Sequence, residues 1–337
     1  MFKAQLQQFF PPKPTFSEAD VPPQDGKVFI VTGGSSGIGL ELCKILYRKN
    51  GRVYIAGRRE PKARQAIQEI LNATPAASSS GTLEYLPLDL ADLSSIKTAV
   101  DAFKAKESHL HVLWNNAGVS QPPLGSLSTQ GIELQLATNC LGPFLFTQLL
   151  LPLLKSTAAT AAAEDPSSAS SVRVIWTSSQ IAELSAPKEG IVVSELRTPP
   201  KNTTRNYVNS KTGNIFLATE LARRQQQQAQ TQEPSVISVA LNPGAASTDL
   251  FRHTPMTKYL AWPLLHSAKL AALTQLYAGL SGDVTAEKNG CYVVPWGRVG
   301  VLRKELVDAS KAVGEDGGTG RAAEFWEWCV EMTREFQ

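Results

Sequence analysis

Short runs of β-branched and aromatic residues alternate along this chain with longer amphipathic segments. The runs predict strands at 28–31, 52–56, 83–88, 112–114, 172–176, 236–241 and 291–294. The segments between the early runs predict helices at 37–49, 62–71, 93–106 and 126–154. Strands and helices that alternate at this spacing form parallel sheets with right-handed crossovers. We therefore predict an α/β fold with a doubly wound, mostly parallel, seven-stranded sheet and helices on both faces.

The strands share one pattern without an interrupting linker, so we predict a single domain at 26–300. A Pro-rich leader precedes it at 1–25, and a helical extension follows at 301–337. Residues 156–171 are rich in Ala, Ser and Thr, which predicts a surface loop. Residues 224–233 carry a glutamine run, which predicts a solvated helix end and loop. A hydrophobic fraction of 42% is enough to build a core.

Composition argues against several classes of protein. The net charge is only +3 and no block of basic residues stands out, which argues against nucleic-acid binding. Four cysteines lie far apart without a CxxC pair, so we expect reduced thiols, no metal site and a cytoplasmic location. We expect neither a signal peptide nor a transmembrane segment, because the longest apolar run, 141–154, is too short to span a bilayer and contains prolines.

A glycine-rich loop, Thr-Gly-Gly-Ser-Ser-Gly-Ile-Gly at 32–39, joins the first predicted strand to the first predicted helix. Glycines permit a tight turn and close backbone approach, while the helix offers its free N–H groups and positive end to a pyrophosphate. This strand–loop–helix unit predicts a dinucleotide-binding Rossmann fold. The loop residues that we expect to contact the cofactor are Gly33, Ser35, Ser36, Gly37, Ile38 and Gly39.

The end of the second strand discriminates between the two nicotinamide cofactors. An acidic residue there would bind the adenine ribose of NAD and repel a 2′-phosphate. The strand instead ends in Ala-Gly-Arg-Arg at 56–59. A guanidinium matches the geometry of a phosphate, so we predict NADP, with Arg58 at its 2′-phosphate and Arg59 as the second candidate.

Tyr207 and Lys211 are four residues apart, which places both side chains on one face of a helix. A phenol that titrates near pH 10 is a poor acid or base at neutrality unless a cation stabilises its phenolate. Lys211 can supply that charge. A Tyr-x-x-x-Lys pair alone is common on helices and usually structural, so the prediction of Tyr207 as the catalytic acid/base, Lys211 as its partner and both as cofactor contacts depends on the other motifs of the chain.

The loop spacing, an Asn-Asn-Ala-Gly element at 115–118 and the Tyr-x-x-Ser-Lys motif occur in an order that resembles the short-chain dehydrogenase/reductase family. The resemblance covers roughly residues 26–300 and extends to the fungal, retinol-dehydrogenase-like branch. It implies further cofactor contacts at the ends of later strands: Asp89, Leu90, Asn116, Ala117, Gly118, Pro243, Gly244, Ala246 and Thr248. Ala246 stands where the family usually has Val, and we expect little effect because that contact is made by the backbone.

The resemblance also implies two more members of the reaction centre. Ser179, at the end of the fifth strand, would anchor the substrate oxygen, with Ser178 as the alternative. Asn139 would hold a water that leads from Lys211 to solvent. An asparagine inside an apolar helix is costly unless it is hydrogen-bonded, which supports a role for Asn139.

Two segments are predicted to shape the substrate site: an insertion at 181–205 and an apolar lid at about 249–280. The apolar residues at the start of the lid are Leu250, Phe251, Met256, Tyr259, Leu260, Trp262, Leu264 and Leu265. They predict a hydrophobic small-molecule substrate. The alternative is that half of them only pack the lid onto the sheet.

The predicted function is NADPH-dependent reduction of a ketone or aldehyde on such a molecule, in secondary metabolism if the similarity of the C-terminal region to fungal members holds. A non-redox isomerase or dehydratase and an NADP-binding sensor remain alternatives on the same scaffold. Family members often form homodimers through the helices that carry Asn139 and Tyr207, whereas retinol-dehydrogenase-like members are monomers in some cases, so both states stay open.

Overall fold

The structure is a computed structural model that describes residues 7–75, 79–165, 171–229, 236–254, 256, 259 and 264–337. Its strands are β1 (Val28–Thr32), β2 (Arg52–Gly57), β3 (Thr82–Pro87), β4 (Val112–Asn115), β5 (Arg173–Thr177), β6 (Ile237–Leu241), β7 (Tyr292–Val294) and β8 (Arg298–Gly300). They form one sheet in the order β3-β2-β1-β4-β5-β6-β7-β8. All neighbours are parallel except β7 and β8.

The predicted doubly wound α/β architecture is confirmed, but the strand count of seven was wrong. The eighth strand, β8, has only three residues and pairs antiparallel with β7. Its sequence, Arg-Val-Gly, has no apolar run and therefore gave no strand signal. A turn at Pro295–Gly297 reverses the chain, and Gly297 adopts the left-handed conformation (φ 86°) that this reversal requires.

The helices are α1 (Gly37–Arg48), α2 (Glu60–Ala73), α3 (Leu93–Lys104), α4 (Gly142–Glu164), α5 (Gln180–Ser185), α6 (Ser194–Arg197), α7 (Thr203–Ala229), α8 (Ala268–Leu280), α9 (Lys304–Ser310) and α10 (Arg321–Thr333). Apolar side chains of α1, α2 and α8 pack on one face of the sheet. Those of α3, α4 and α7 pack on the other. This is the two-faced burial that explains why the central strands are apolar throughout.

The helix predicted at 126–154 begins later and ends later than expected. Residues 126–133 form a loop closed by a bridge between Leu127 and Glu133. A short helical turn at Leu134–Leu136 and a π-helical turn at Ala137–Leu141 then lead into α4. Because α4 continues to Glu164, much of the surface loop predicted at 156–171 is helical, which suits its many alanines.

The segment Leu134–Glu164 is long and apolar enough to cross a membrane by length and composition alone. In the structure, 67% of its most apolar window is buried inside the protein. Leu145, Leu150 and Leu154 are fully buried in the core on this face of the sheet. We therefore interpret the segment as a core helix.

The predicted lid at 249–280 is shorter than expected, because α8 belongs to the core. Its backbone carbonyl at Gln275 accepts a hydrogen bond from the Trp114 indole of β4 at 3.0 Å. Gly279 lies so close to Trp114 that a Cβ would come within 2.1 Å of the ring. Within the segment before α8, the predicted lid residues Leu260 and Trp262 lie outside the described residues, whereas Met256 and Tyr259 are exposed.

The C-terminal extension packs over α7 and α4. The Trp326 ring meets Phe144 edge-on at 4.9 Å between centroids, and Arg224 lies over the same indole at 4.9 Å. As a result α7 is buried from Asn206 to Ala222 at every position except Thr219. The helix that carries Tyr207 therefore has almost no exposed surface in the middle of its length.

Candidate active site

A cleft of about 500 Å³ opens at the carboxyl ends of the parallel strands. This is the edge of an open α/β sheet at which ligands bind. The cleft is lined by every residue that the sequence predicts to bind the cofactor or to act in catalysis, except Gly39 and Asn139. These two lie just behind its wall, where both are buried.

The glycine-rich loop between β1 and α1 fits the diphosphate of a dinucleotide. Gly33 and Gly37 adopt left-handed backbone conformations (φ 67° and 55°), which side chains rarely allow. A Cβ on Gly39 would come within 2.6 Å of the Gly33 carbonyl oxygen, so only glycine allows this tight turn. The first turn of α1 contains no acidic residue, which leaves its positive end open to an anion.

The Asn-Asn-Ala-Gly element after β4 is tied to the end of β1. The Thr32 hydroxyl accepts hydrogen bonds from the backbone N–H groups of Asn116 and Ala117, both at 2.9 Å. The Asn116 amide donates to the Thr32 carbonyl at 2.8 Å. Asn116 therefore holds two strand ends together, and Ala117 and Gly118 line the cleft beside it.

The far end of the cleft is basic. Arg58 is 57% exposed and lies 4.0 Å from the Asp89 carboxylate. Arg59 and Lys62 also line this end, and Lys62 pairs with Asp249 across the cleft at 3.3 Å. No carboxylate occupies the β2 terminus itself, which ends at Gly57. This end is thus suited to a phosphate.

The Tyr207 side chain is buried on the cleft floor, on the first turns of α7. Its hydroxyl hydrogen-bonds with those of Ser179 and Ser120. Burial raises the pKa of Tyr207 to about 12, against the lowering effect of these two hydrogen bonds. The phenol is therefore protonated at neutral pH and ready to act as an acid.

Lys211 lies one turn further along α7, with its nitrogen 5.7 Å from the centre of the Tyr207 ring. Burial lowers the pKa of Lys211 to about 8, with a weaker opposing effect from Cys140. Its ammonium donates to the Thr177 carbonyl at 2.9 Å. An ammonium has three N–H donors, so one hydrogen bond to the strand end positions the group and leaves two donors for other partners.

The two candidate serines after β5 have different surroundings. Ser178 is 2% exposed, and its hydroxyl donates to the Lys211 carbonyl at 2.7 Å. Ser179 is partly exposed to the cleft and hydrogen-bonds with Tyr207. Ser178 therefore holds α7 against β5, and Ser179 is placed to contact a substrate oxygen.

Asn139 lies in the π-helical turn before α4, a distortion that is frequent at functional sites. Its amide donates to the Val119 carbonyl and to the Ser210 hydroxyl, both at 2.9 Å, and its oxygen accepts from the Val119 N–H at 2.8 Å. A Cβ on Gly118 would lie 3.1 Å from that oxygen and 3.3 Å from the Lys211 nitrogen. Asn139 and Lys211 are thus close neighbours behind Gly118.

The loop after β6 completes the cleft opposite the glycine-rich loop. Gly244 has φ of 82° and faces the Trp296 ring, where a Cβ would come within 3.0 Å. Ala246 forms a bridge with His266, and a Cβ on Gly37 would lie 3.2 Å from the Thr248 methyl group. Pro243 also lines the cleft. The loop after β6 and the glycine-rich loop therefore form two walls of the cleft.

Sequence reasoning missed several cleft residues, among them Ser120 and Phe9. Ser120 follows the Asn-Asn-Ala-Gly element by two positions, and its place at a strand end was the available signal. Gln8 and Phe9 come from the Pro-rich leader, and Phe9 lines the cleft. Nothing local in that leader indicates such a position.

The family profile for short chain dehydrogenases matches residues 27–258. The chain belongs to the short-chain dehydrogenase/reductase family. It is therefore an oxidoreductase of a family that binds nicotinamide dinucleotides, and the matched range contains the glycine-rich loop and the Tyr207–Lys211 pair.

The relatives of this dehydrogenase/reductase include fungal proteins that match along most of their length. A short-chain dehydrogenase/reductase of Pestalotiopsis fici is 43% identical over 96% of this chain and 95% of that protein. One of Phomopsis amygdali is 43% identical over 98% of this chain and 96% of its own. An oxidoreductase of Schizosaccharomyces pombe, described as uncharacterized, is 36% identical over 88% of this chain and 85% of its own.

Solved structures agree with the fold. An uncharacterized protein of Mycobacterium paratuberculosis has a TM-score of 0.67 at 26% identity, over 95% of this chain and 97% of that one. A short-chain type dehydrogenase/reductase of Mycobacterium marinum has a TM-score of 0.61 at 18% identity, over 83% and 98% of the two chains.

Proposed function

We propose that the protein is an NADPH-dependent reductase of a ketone or aldehyde on a hydrophobic small molecule. The observation that carries the proposal is the Tyr207 hydroxyl, buried at the cleft floor and hydrogen-bonded with Ser179. A protonated phenol beside a hydroxyl donor provides two hydrogen bonds to a carbonyl oxygen on which negative charge develops.

The choice of NADP over NAD rests on the basic end of the cleft. Arg58, Arg59 and Lys62 line it, and the position that an acidic residue would occupy at the end of β2 is Gly57. Arg58 would hold the 2′-phosphate, since a guanidinium makes paired hydrogen bonds with phosphate oxygens. The glycine-rich loop and the N-terminus of α1 would hold the diphosphate.

When bound, the nicotinamide ring supplies a hydride to the carbonyl carbon. Tyr207 donates its proton to the carbonyl oxygen, and Ser179 orients that oxygen by a hydrogen bond. Lys211 stabilises the phenolate that remains, because its charge lies one helical turn away. Asn139, a neighbour of Lys211, would hold a water through which a proton reaches the lysine from solvent.

The substrate class follows from the wall beside Ser179. Ile181 and Leu184 belong to α5, and Leu250 follows the β6 loop; all three line the cleft. Leu184 is 45% exposed, so together with Ile181 and Leu250 it offers apolar surface to a ligand in the cleft. A hydrophobic carbonyl compound would bury this surface. A role in secondary metabolism and a cytoplasmic location remain predictions.

The test is NADPH oxidation at 340 nm with hydrophobic carbonyls, namely all-trans-retinal, androstenedione and phenanthrenequinone, each repeated with NADH. We expect turnover of at least one compound and a preference for NADPH. Binding of NADPH without turnover of any compound would favour the sensor or non-redox alternatives. A preference for NADH would overturn the role of Arg58.

A further inference from the structure

Residues 7–10, here called the N-terminal arm, lie against the active-site cleft. Gln8 is only 4% exposed, and the Phe9 side chain lines the cleft. Phe10 points away and is 60% exposed. Chain ends are usually poorly ordered unless specific contacts hold them. Buried contacts in this arm therefore need an explanation.

Gln8 connects two segments on either side of the cleft. Its amide nitrogen donates to a Glu183 carboxylate oxygen at 2.9 Å, and its oxygen accepts from the Asn242 amide at 2.8 Å. Both ends of the glutamine amide are used, one as donor and one as acceptor. An apolar residue at position 8 would remove one hydrogen bond from each partner and so loosen the attachment of the arm.

Asn242 lines the cleft, whereas Glu183 is buried beside it. Glu183 lies four residues after Ser179, on α5. The Asn242 oxygen accepts from the Gly244 N–H at 2.9 Å, in the loop that the family resemblance assigns to the nicotinamide. Gln8 therefore links the substrate side of the cleft to its cofactor side.

A contact of its backbone carbonyl holds Phe9 in place. Its carbonyl lies 3.1 Å from the His266 ring nitrogen. The backbone of His266 is bonded in turn to the β6 loop, donating to the Ala245 carbonyl at 2.7 Å and accepting from the Ser247 N–H at 2.9 Å. The arm is thus fixed at two successive residues, and Phe9 lines the cleft.

We propose that Phe9 of the N-terminal arm forms part of the substrate-facing wall of the active site as a specificity-determining residue, and that Gln8 is the residue that positions it. This rests on the proposed reductase function. Phe9, Ile181 and Leu184 give the wall its apolar character, and the substrate part that contacts them is an apolar group attached to the reacting carbonyl.

The first test compares Phe9→Ala with its neighbour Phe10→Ala in the full-length chain. We expect Phe9→Ala to raise KM for all-trans-retinal, androstenedione or phenanthrenequinone by about tenfold, from the loss of a buried aromatic contact. Phe10→Ala should change it by less than about twofold, and KM for NADPH should stay constant in both. Equal substrate KM values for the two variants would overturn the role of Phe9.

The second test needs neither substrate nor turnover. Chymotrypsin cleaves after Phe9, whereas Pro11 blocks cleavage after Phe10. A docked arm resists cleavage until it opens, so the rate reports the open population. We expect Gln8→Ala to accelerate cleavage at least about tenfold, and Gln7→Ala, at an exposed position, to leave the rate unchanged. If chymotrypsin cleaves the wild type as fast as Gln8→Ala, the proposal about the N-terminal arm is overturned while the proposed function stands. If the wild type does not oxidise NADPH with any carbonyl compound, the proposed function is overturned instead.

Gln8→Ala also separates positioning from general destabilisation. If the glutamine positions the wall, substrate KM rises while kcat with saturating substrate and the thermal midpoint stay close to wild type. A fall in kcat and midpoint with unchanged KM would show a merely structural role and overturn the assignment of Gln8.

Discussion

The ammonium nitrogen of Lys211 lies 2.9 Å from the carbonyl oxygen of Thr177, the last residue of β5. Because β5 leads into Ser179, the same strand end also fixes the position of the Lys211 ammonium group. The same carbonyl accepts from the Asn214 amide at 2.9 Å, which is one turn further along the helix. Serine, tyrosine and lysine are thus placed relative to one another by one strand end.

Replacing Tyr207 with Phe should lower kcat at least about a thousandfold, because the proton donor is lost. NADPH binding, followed by fluorescence titration, should change by less than about threefold. Tyr259→Phe, at a tyrosine that is 79% exposed, is the matched control and should keep full activity. Turnover retained by the Tyr207 variant would remove this residue from the mechanism.

The rate of reduction should fall at alkaline pH. Burial lowers the pKa of Lys211 to about 8 and raises that of Tyr207 to about 12. Above pH 8 the lysine loses its charge while the tyrosine keeps its proton, so the phenolate left after proton donation loses its stabilising cation. We expect kcat/KM for the carbonyl substrate to drop about tenfold per pH unit above 8. Lys211→Arg, which keeps the charge, should show no such drop; a wild-type profile that stays flat to pH 10 would contradict this role.

Arg58→Ala should raise KM for NADPH by about tenfold to a hundredfold, the loss expected for a charge-assisted hydrogen bond to phosphate. KM for NADH should change little, because NADH has no 2′-phosphate. Arg59→Ala is the direct comparison at the neighbouring position. A larger effect of Arg59→Ala would transfer the phosphate contact to that residue.

His111 should make the fold sensitive to mild acid. The Val28 N–H donates to its Nδ1 at 3.0 Å, and burial lowers the pKa of His111 from 6.5 to about 4. The unfolded chain takes up the proton first as pH falls below 6.5, so the free energy of unfolding should drop by roughly 3 kcal/mol by pH 4. His111→Asn keeps an acceptor without titrating, and urea unfolding at pH 7 and 4.5 should show a smaller loss for it. Equal losses would exclude His111 as the cause.

The protein should be a monomer, because the C-terminal extension covers the α7 face by which family members associate. Light scattering after gel filtration should give a mass near 36.4 kDa. Trp326→Ala should lower the free energy of unfolding by about 3–5 kcal/mol, as for other buried aromatic residues. Val313→Ala, at a position 80% exposed, should have little effect. A dimer of the wild type would show that another surface is used.

The sequence predicted the parallel sheet from the alternation of apolar runs with amphipathic segments, and each predicted strand lies within two residues of its observed bounds. Those signals are local, since burial on both faces makes a central strand apolar throughout. The sequence did not predict β8, because a three-residue edge strand buries little apolar surface. The sequence placed the start of the next helix at residue 126 rather than at Leu134, because local propensity does not reveal the bridge that holds residues 126–133 in a loop.

The sequence alone also predicted the chemistry, because the glycine-rich loop, Arg58, Tyr207 and Lys211 are recognisable from residue type, spacing and order along the chain. Only the tertiary structure separated Ser179 from Ser178, since that depends on which hydroxyl α7 covers. It also brought Gln8 to Glu183, 175 positions apart in the chain, and made the leader part of the cleft. Hydrogen bonds between such distant residues depend on how the chain folds back on itself, and no local pattern encodes them.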